Sequence, residues 1–299
     1  MNRAFRYLLA SLLLALELTT PLEAQEDLPY THVKDLIYGE IHGTGLLMDV
    51  FSPKEKKRGL GIIDVVSGAW SSDRGKIRDH TLSQMFTIYC SRGYTVFAVR
   101  PGSKGRYTVF DMDRNVKTAV RFIKEHATEY GIDPNRLVMT GASAGAHLAT
   151  LAALTVDSGN PNAKAAAQRF DTSVKAVGVF FPPTDFLDWD QGKRAEMSLL
   201  GPLLFLGGAS NQSEDEILAK AREASPLHRV TKTSVPFLLI HGDADRVVPI
   251  SHSQKLVEAI KKSGGSADLM VKAGGGHPWL TIPEEVRKLA DWFDKQLEP

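Results

Sequence analysis

The chain has 299 residues, of which 43% are hydrophobic, 24% charged and 8% aromatic. This composition is typical of a folded protein with one large core, and it excludes a disordered chain, a collagen-like repeat and a protein with several membrane spans. The 36 Lys and Arg residues nearly balance the 35 Asp and Glu residues, so nucleic acid is not expected as a partner. The single cysteine, Cys90, cannot form an intramolecular disulfide and is expected to be a small buried side chain.

The first 24 residues have the pattern of a secretory signal peptide. Arg3 and Arg6 precede an apolar run over residues 7–16, and a short polar stretch then leads to the small residue Ala24. This run is shorter than the roughly 20 residues that span a bilayer, so no permanent membrane anchor is expected. A buried first helix is the alternative, but the apolar pattern ends early for one. We expect a secreted or periplasmic protein with a single domain over residues 25–299.

Short apolar runs alternate with helical patterns through most of the chain. The runs suit strands buried on both faces, and they occupy residues 61–66, 95–99, 137–140, 174–181 and 235–240. Apolar residues three and four apart mark helices over about 112–127 and 286–297. This alternation predicts an α/β fold, in which a doubly wound, mostly parallel sheet has helices on both faces. Residues 182–213 interrupt the pattern and are predicted to form a lid or pocket wall.

Residues 141–145 read Gly-Ala-Ser-Ala-Gly between an apolar strand pattern and a helix rich in Ala and Leu. A serine on a sharp strand-to-helix turn projects its hydroxyl above the sheet, and the glycines leave room for the strained backbone. The first amides of the helix lie where negative charge would develop on a substrate carbonyl oxygen. The pattern predicts that Ser143 is a nucleophile, and an ordinary tight turn is the alternative.

A nucleophilic serine needs a histidine base and a carboxylate that orients the histidine. Asp243 and Asp245 both lie in the loop after the predicted strand at 235–240, and the residues alone leave either one as the acid. His277 follows a run of three glycines after the last predicted strand and is the best base. His147 is four residues beyond Ser143 on the same helical face, so we expect it to make a structural contact.

The other histidines show no ligand spacing, and the chain contains neither an H-E-x-x-H motif nor paired cysteines. A metal site is therefore not expected, and the serine chemistry requires no cofactor. His241 and His252 could border the site, although packing or capping is the simpler interpretation of both.

With these motifs the chain resembles α/β-hydrolases of the esterase and lipase group, which includes hormone-sensitive-lipase-like and feruloyl-esterase-like bacterial enzymes. The resemblance extends from about residue 46 to the C-terminus. It implies that Ser143 is the nucleophile and His277 the base. It also selects Asp245 over Asp243, because the acid of that group is the second aspartate of an H-G-x-x-D-x-x-V-P loop.

The loop that normally supplies oxyanion donors in that group is altered here. Residues 65–70 read Val-Val-Ser-Gly-Ala-Trp in place of an H-G-G-G or H-G-G-x-W motif. The function requires backbone amides and not an imidazole, so the expected donors are the amides of Gly68, Ala69 and Ala144. The side chains expected to line the pocket, with a core or lid role as the alternative for each, are Trp70, Phe181, Pro182, Asp185 and Trp189.

These observations lead to the hypothesis of a secreted serine carboxylesterase that acts on a small or polymer-borne ester. Three other functions are alternatives: a carbohydrate acetyl or feruloyl esterase, a small exopeptidase, and a catalytically inactive binding protein with a hydrolase fold.

Overall fold

A computed structural model describes residues 28–41, 43–231 and 235–298. The predicted signal peptide lies outside the described residues. Within them the chain forms a sheet of eight strands: β1 (Tyr30–Ile41), β2 (Thr44–Pro53), β3 (Leu60–Val65), β4 (Tyr94–Arg100), β5 (Leu137–Ala142), β6 (Ala176–Phe180), β7 (Phe237–Gly242) and β8 (Ala267–Lys272). Their order across the sheet is β1-β2-β4-β3-β5-β6-β7-β8.

Strands β1 and β2 pair antiparallel, as do β2 and β4, and every other neighbouring pair is parallel. The helices of the described residues are α1 (Arg74–Leu82), α2 (Met85–Ser91), α3 (Val109–Glu125), α4 (Ala127–Tyr130), α5 (Ala144–Leu154), α6 (Met197–Leu204), α7 (Glu214–Ala224), α8 (Ser251–Lys262) and α9 (Ile282–Leu297). The predicted mostly parallel sheet is confirmed.

Two apolar clusters cover the two faces of the sheet. Alternate residues of β3 divide between them, with Ile62 in one cluster and Ile63 in the other. The Ile62 cluster includes residues of α1, α2 and α9, and the Ile63 cluster includes residues of α3, α5, α7 and α8. Because side chains alternate across a strand, strands covered on both faces read as continuous apolar runs. The doubly wound arrangement follows, and Cys90 is buried in the Ile62 cluster as expected.

The segment 182–213, predicted to be a lid or pocket wall, contains helix α6. Leu200, Leu203 and Leu204 of this helix are buried in the core. Trp189 and Leu199 of the same segment border the cavity described below. No helix of the described residues is both long and apolar enough to cross a membrane.

Candidate active site

Ser143 stands on a strained turn between β5 and α5. Its backbone has φ +54° and ψ −119°, a region that residues other than glycine rarely adopt. A Cβ atom on Gly145 would lie 2.0 Å from the carbonyl oxygen of Val65, and one on Gly141 would lie 2.7 Å from the backbone of Gly145. Both glycines are therefore required by close backbone packing, and this packing holds the serine in its strained conformation.

The loops that follow β7 and β8 bring two further predicted residues to this serine. The Ser143 hydroxyl donates to Nε2 of His277 over 2.9 Å. Nδ1 of His277 donates to Oδ2 of Asp245 over 2.6 Å. The three side chains thus form one hydrogen-bonded chain, in which a proton leaving the serine can pass to an imidazole that is oriented by a carboxylate.

Asp245 is fixed on both of its oxygens. Its Oδ1 accepts the amides of Val247 and Val248 over 2.8 and 2.9 Å. Nε2 of His241 lies 3.4 Å from Oδ2 and donates to the Val248 carbonyl over 2.9 Å. Burial alone would raise the pKa of Asp245, but hydrogen bonds from the two histidines and a backbone amide hold this pKa below its usual range. Asp245 is therefore a carboxylate at neutral pH.

Asp243 is the other aspartate that could have been the acid of the triad, and its side chain contacts the loop before His277. Its Oδ1 accepts the Gly274 amide over 2.7 Å, and its side chain makes no contact with His277. His241, for which packing was the simpler interpretation, supports the loop that carries Asp245 through its bond to the Val248 carbonyl.

The turn over residues 68–71 differs from its predicted role. The Gly68 amide donates to the Ser71 carbonyl over 3.0 Å, and the Ser71 amide donates to the Gly68 carbonyl over 2.9 Å. Ala69 and Trp70 between them both have positive φ, as in a type I′ turn. Because the turn closes on itself, the Gly68 amide is not free for an oxyanion, contrary to expectation. The amides of Ala69 and Ala144 make no bond to a described protein acceptor.

Trp70 and His147 connect this turn to helix α5. The Trp70 indole donates to Nδ1 of His147 over 3.1 Å, and Nε2 of His147 donates to the Ala224 carbonyl over 2.8 Å. Burial lowers the pKa of His147 to about 4, so the ring is neutral at physiological pH and accepts the indole proton. The sequence predicted a structural contact for His147 but gave no sign that its partner was Trp70.

Ser143 and His277 open into a cavity of about 500 Å3. Trp70, Phe181 and Trp189 line it as predicted. Pro182 and Asp185 do not, and their neighbour Pro183 does. Asp185 is buried in a turn of its own, where it accepts the amides of Leu187 and Asp188. Its place is set by chain reversal after β6 and not by the substrate space.

His252 fixes the same segment from helix α8. Its Nδ1 accepts the Thr184 amide over 3.0 Å, and its Nε2 donates to the Trp189 carbonyl over 2.9 Å. Burial lowers the pKa of His252 to about 4, which keeps the acceptor nitrogen unprotonated. His252 thus holds the backbone of Trp189 at the cavity wall without lining the cavity itself.

Sequence analysis passed over helix α1, which forms one wall of the cavity. Its polar residues Lys76, Asp79 and His80, together with Ser83 just beyond its end, border the open space. Their spacing of three, four and seven residues is a helical stripe that the sequence displays. A polar stripe at this spacing is also typical of the solvent-facing side of a helix, so it does not by itself indicate a cavity wall.

The parallel sheet, the serine turn and the loops that carry Asp245 and His277 define the fold as an α/β-hydrolase. The sequence model of the BD-FAE family matches residues 48–260, more than half of the chain. The chain belongs to the BD-FAE family, and the predicted esterase-type resemblance is confirmed.

Three known proteins illustrate the similarity. The probable carboxylic ester hydrolase LipM of Mycobacterium tuberculosis is 27% identical over 236 residues, which is 78% of this chain and 52% of LipM. The chain thus spans about half the length of this relative. A truncated carbohydrate esterase from gut microbiota has a TM-score of 0.78 at 22% identity, covering 91% of this chain and 98% of the other. An acetyl ester-xyloside bifunctional hydrolase from Caldicellulosiruptor lactoaceticus has a TM-score of 0.70 at 18% identity, covering 87% and 95%. At these identities the two structures establish the fold.

Proposed function

We propose that the protein is a serine carboxylesterase. The observation that carries the proposal is the hydrogen-bonded chain from Ser143 through His277 to Asp245, which opens into a cavity of about 500 Å3. The esterase names of its relatives support the same activity. The intact chain of contacts argues against a hydrolase fold retained only for binding.

In the first half of the reaction, the Ser143 oxygen attacks the ester carbonyl carbon while His277 takes the hydroxyl proton on Nε2. Asp245 stabilises the resulting imidazolium through the bond to Nδ1. The tetrahedral intermediate then collapses, the bond to the alcohol oxygen breaks, and that oxygen leaves with the proton from His277. An acyl-enzyme ester on Ser143 remains.

In the second half, water attacks the acyl carbonyl carbon and gives its proton to His277. Collapse of this intermediate releases the acid, and the proton returns to the Ser143 oxygen. Both intermediates carry negative charge on the former carbonyl oxygen. We assign the amides of Ala69 and Ala144 to bind it, because Ala144 follows Ser143 in the chain, Ala69 borders the same cavity, and neither amide has another described acceptor.

A finer proposal is that the ester is carried by a carbohydrate. The names of two similar structures support it, since one is a carbohydrate esterase and the other acts on acetyl esters and xylosides. Export to the periplasm or the medium is proposed from the pattern of residues 1–24, and would give access to polymeric substrates. Immunodetection of the protein in periplasmic and culture fractions tests the export.

The activity is tested by initial rates on p-nitrophenyl acetate, butyrate, octanoate and dodecanoate, with Ser143→Ala as the control. We expect hydrolysis that Ser143→Ala abolishes, and the best chain length distinguishes a small-acyl esterase from a lipase. Equal rates for the two proteins on every ester would rule out the serine mechanism on these substrates.

A further inference from the structure

Helix α1 exposes a polar stripe to the cavity, formed by Lys76, Asp79 and His80. Lys76 and Asp79 lie at the exposed rim of the cavity, whereas His80 is buried. A surface helix normally turns apolar residues toward the protein interior, so the buried imidazole on this face needs a reason. The remaining walls are largely apolar, with side chains that include Phe180, Phe181, Trp189, Leu199 and Ile282. The cavity therefore has a hydrogen-bonding wall and a hydrophobic wall.

His80 is held in this stripe by a buried carboxylate. Nδ1 of His80 donates to Oδ2 of Asp64 over 2.6 Å, and the Asp64 side chain, near the end of β3, is fully buried. Nδ1 is therefore occupied, and Nε2 of His80 has no partner among the described residues. The His80 side chain is mostly buried, but this nitrogen is not among the buried atoms without a partner and therefore reaches the cavity. A ring nitrogen that borders a cavity without a protein partner is available to a bound molecule.

Charge at His80 adds to its capacity as a donor. Burial alone would lower the pKa of His80, but the attraction and hydrogen bond of Asp64 raise it above its ordinary value. A protonated ring can donate from Nε2. Other charged groups near this ring are Asp79, which also favours the proton, and Lys76, which opposes it.

The stripe is polar without a net charge. Lys76 pairs with Asp79 over 2.9 Å, as His80 pairs with Asp64, so each cation has its own anion. Such a wall offers donors and acceptors to neutral hydroxyl groups and has no surplus charge for a carboxylate or phosphate. The Lys76 side chain also lies against Gly68, since a Cβ there would be 2.8 Å from its Cδ. The stripe thus adjoins the turn that carries Ala69.

We propose that His80, oriented by Asp64, is a substrate-binding residue, and that it forms with Lys76 and Asp79 a subsite for a neutral, hydroxyl-bearing half of the ester. The other half lies against the apolar wall. This inference rests on the proposed esterase function and deepens it by naming the residues that select the polar half.

The test compares matched esters that differ in hydroxyl groups. Acetylated methyl xyloside and cyclohexyl acetate vary the alcohol half, and p-nitrophenyl 3-hydroxybutyrate and p-nitrophenyl butyrate vary the acid half. For each pair, the selectivity is kcat/KM for the hydroxylated ester divided by kcat/KM for the plain ester. In one of the two pairs, His80→Gln is expected to lower this selectivity by about tenfold, mainly because KM for the hydroxylated ester rises. Arg78→Ala, on the exposed face of the same helix, is the matched control and should leave both ratios unchanged.

A second variant separates recognition from folding. Asp64→Leu with His80→Leu removes the buried pair together, so that no unpaired charge remains in the core. It should lose the same selectivity while it still hydrolyses the plain esters. If both variants change kcat/KM for the two esters of each pair by the same factor, the subsite assignment is wrong and the contact between Asp64 and His80 serves stability alone.

Binding to an inactive protein keeps the inference testable without catalysis. Ser143→Ala should bind the hydroxylated ester of one pair, and adding His80→Gln should weaken that binding about tenfold in calorimetry. Unchanged binding overturns the subsite. Binding that depends on His80, together with absence of hydrolysis by the unaltered protein, would contradict the esterase proposal and leave the subsite standing.

Discussion

The indole of Trp70 donates a 3.1 Å hydrogen bond to His147, which lies one helical turn beyond Ser143. The bond connects the 68–71 turn, which follows β3, to helix α5, which begins just after Ser143 at the end of β5. His147 is anchored in turn on the Ala224 carbonyl of α7. The position of the Ala69 amide therefore depends on the His147 ring, which does not line the cavity.

Replacement of Trp70 by Phe tests this dependence. The ring area is mostly kept, but Nδ1 of His147 loses its donor while buried, which should lower the free energy of unfolding by about 1 to 3 kcal/mol. We expect kcat to fall about tenfold or more, because the turn that presents Ala69 is less firmly held. Urea unfolding and ester kinetics measure the two effects, with Trp292→Phe on α9 as the control. A lower stability with unchanged kcat would show that Trp70 is only a core residue.

The two aspartates of the β7 loop form a matched pair of variants. Asp245→Asn should reduce kcat on p-nitrophenyl acetate by about 10³ to 10⁴, since the amide no longer stabilises the imidazolium of His277. Asp243→Asn keeps an oxygen that can accept the Gly274 amide and should change kcat less than about threefold. Comparable losses in the two variants would contradict the assignment of Asp245 as the acid.

Gly145→Ala places a methyl group 2.0 Å from the Val65 carbonyl, where only backbone could move to relieve the contact. We expect a loss of more than about 3 kcal/mol in the free energy of unfolding, or failure to fold. Gly201→Ala in α6 is the comparison, because its nearest neighbour would be 3.5 Å away and the added methyl favours the helix. Thermal unfolding of the two variants tests this prediction. Similar midpoint temperatures for Gly145→Ala and Gly201→Ala would show that the turn at Ser143 has more room than the contacts indicate.

Stability should fall as the pH drops from about 6.5 toward 4. Burial lowers the pKa of His147 and His252 from 6.5 to about 4, so over this range the unfolded chain binds protons that the folded protein does not. The free energy of unfolding then decreases by up to about 1.4 kcal/mol per pH unit for each histidine.

The variant His147→Phe removes one of these groups. In urea titrations between pH 6.5 and 4.5, the slope of its free energy of unfolding against pH should correspond to about one fewer proton taken up on unfolding. A slope equal to that of the unaltered protein would mean that His147 is protonated in the folded state.

Sequence patterns predicted those features that local chemistry determines. The alternating apolar runs gave the sheet, and the two glycines around Ser143 indicated the turn because such a backbone needs them. Long-range contacts decided the rest. Whether Asp243 or Asp245 faces His277 depends on which of them the Val247 and Val248 amides hold. The residues alone did not decide between the two, and only the resemblance to the esterase and lipase group selected Asp245.

The same limit explains the errors. The 68–71 turn uses the Gly68 amide internally, and that bond depends on how the turn closes and not on residue type. Pro182 and Asp185 were expected to line the cavity, with a core or lid role as the alternative, and they do not border it. His252, about seventy residues later, directs the chain so that Pro183 and Trp189 line the cavity instead.

The contact between Gly145 and the end of β3 also limits how substrate can enter. The Gly145 amide donates to the Ser67 carbonyl over 3.0 Å, and the two backbones are in van der Waals contact. This hydrogen bond and close packing tie the nucleophile turn to Ser67, the residue that precedes the 68–71 turn. We therefore expect substrate entry to depend on the other walls of the cavity, among them the one to which Leu199 of α6 belongs.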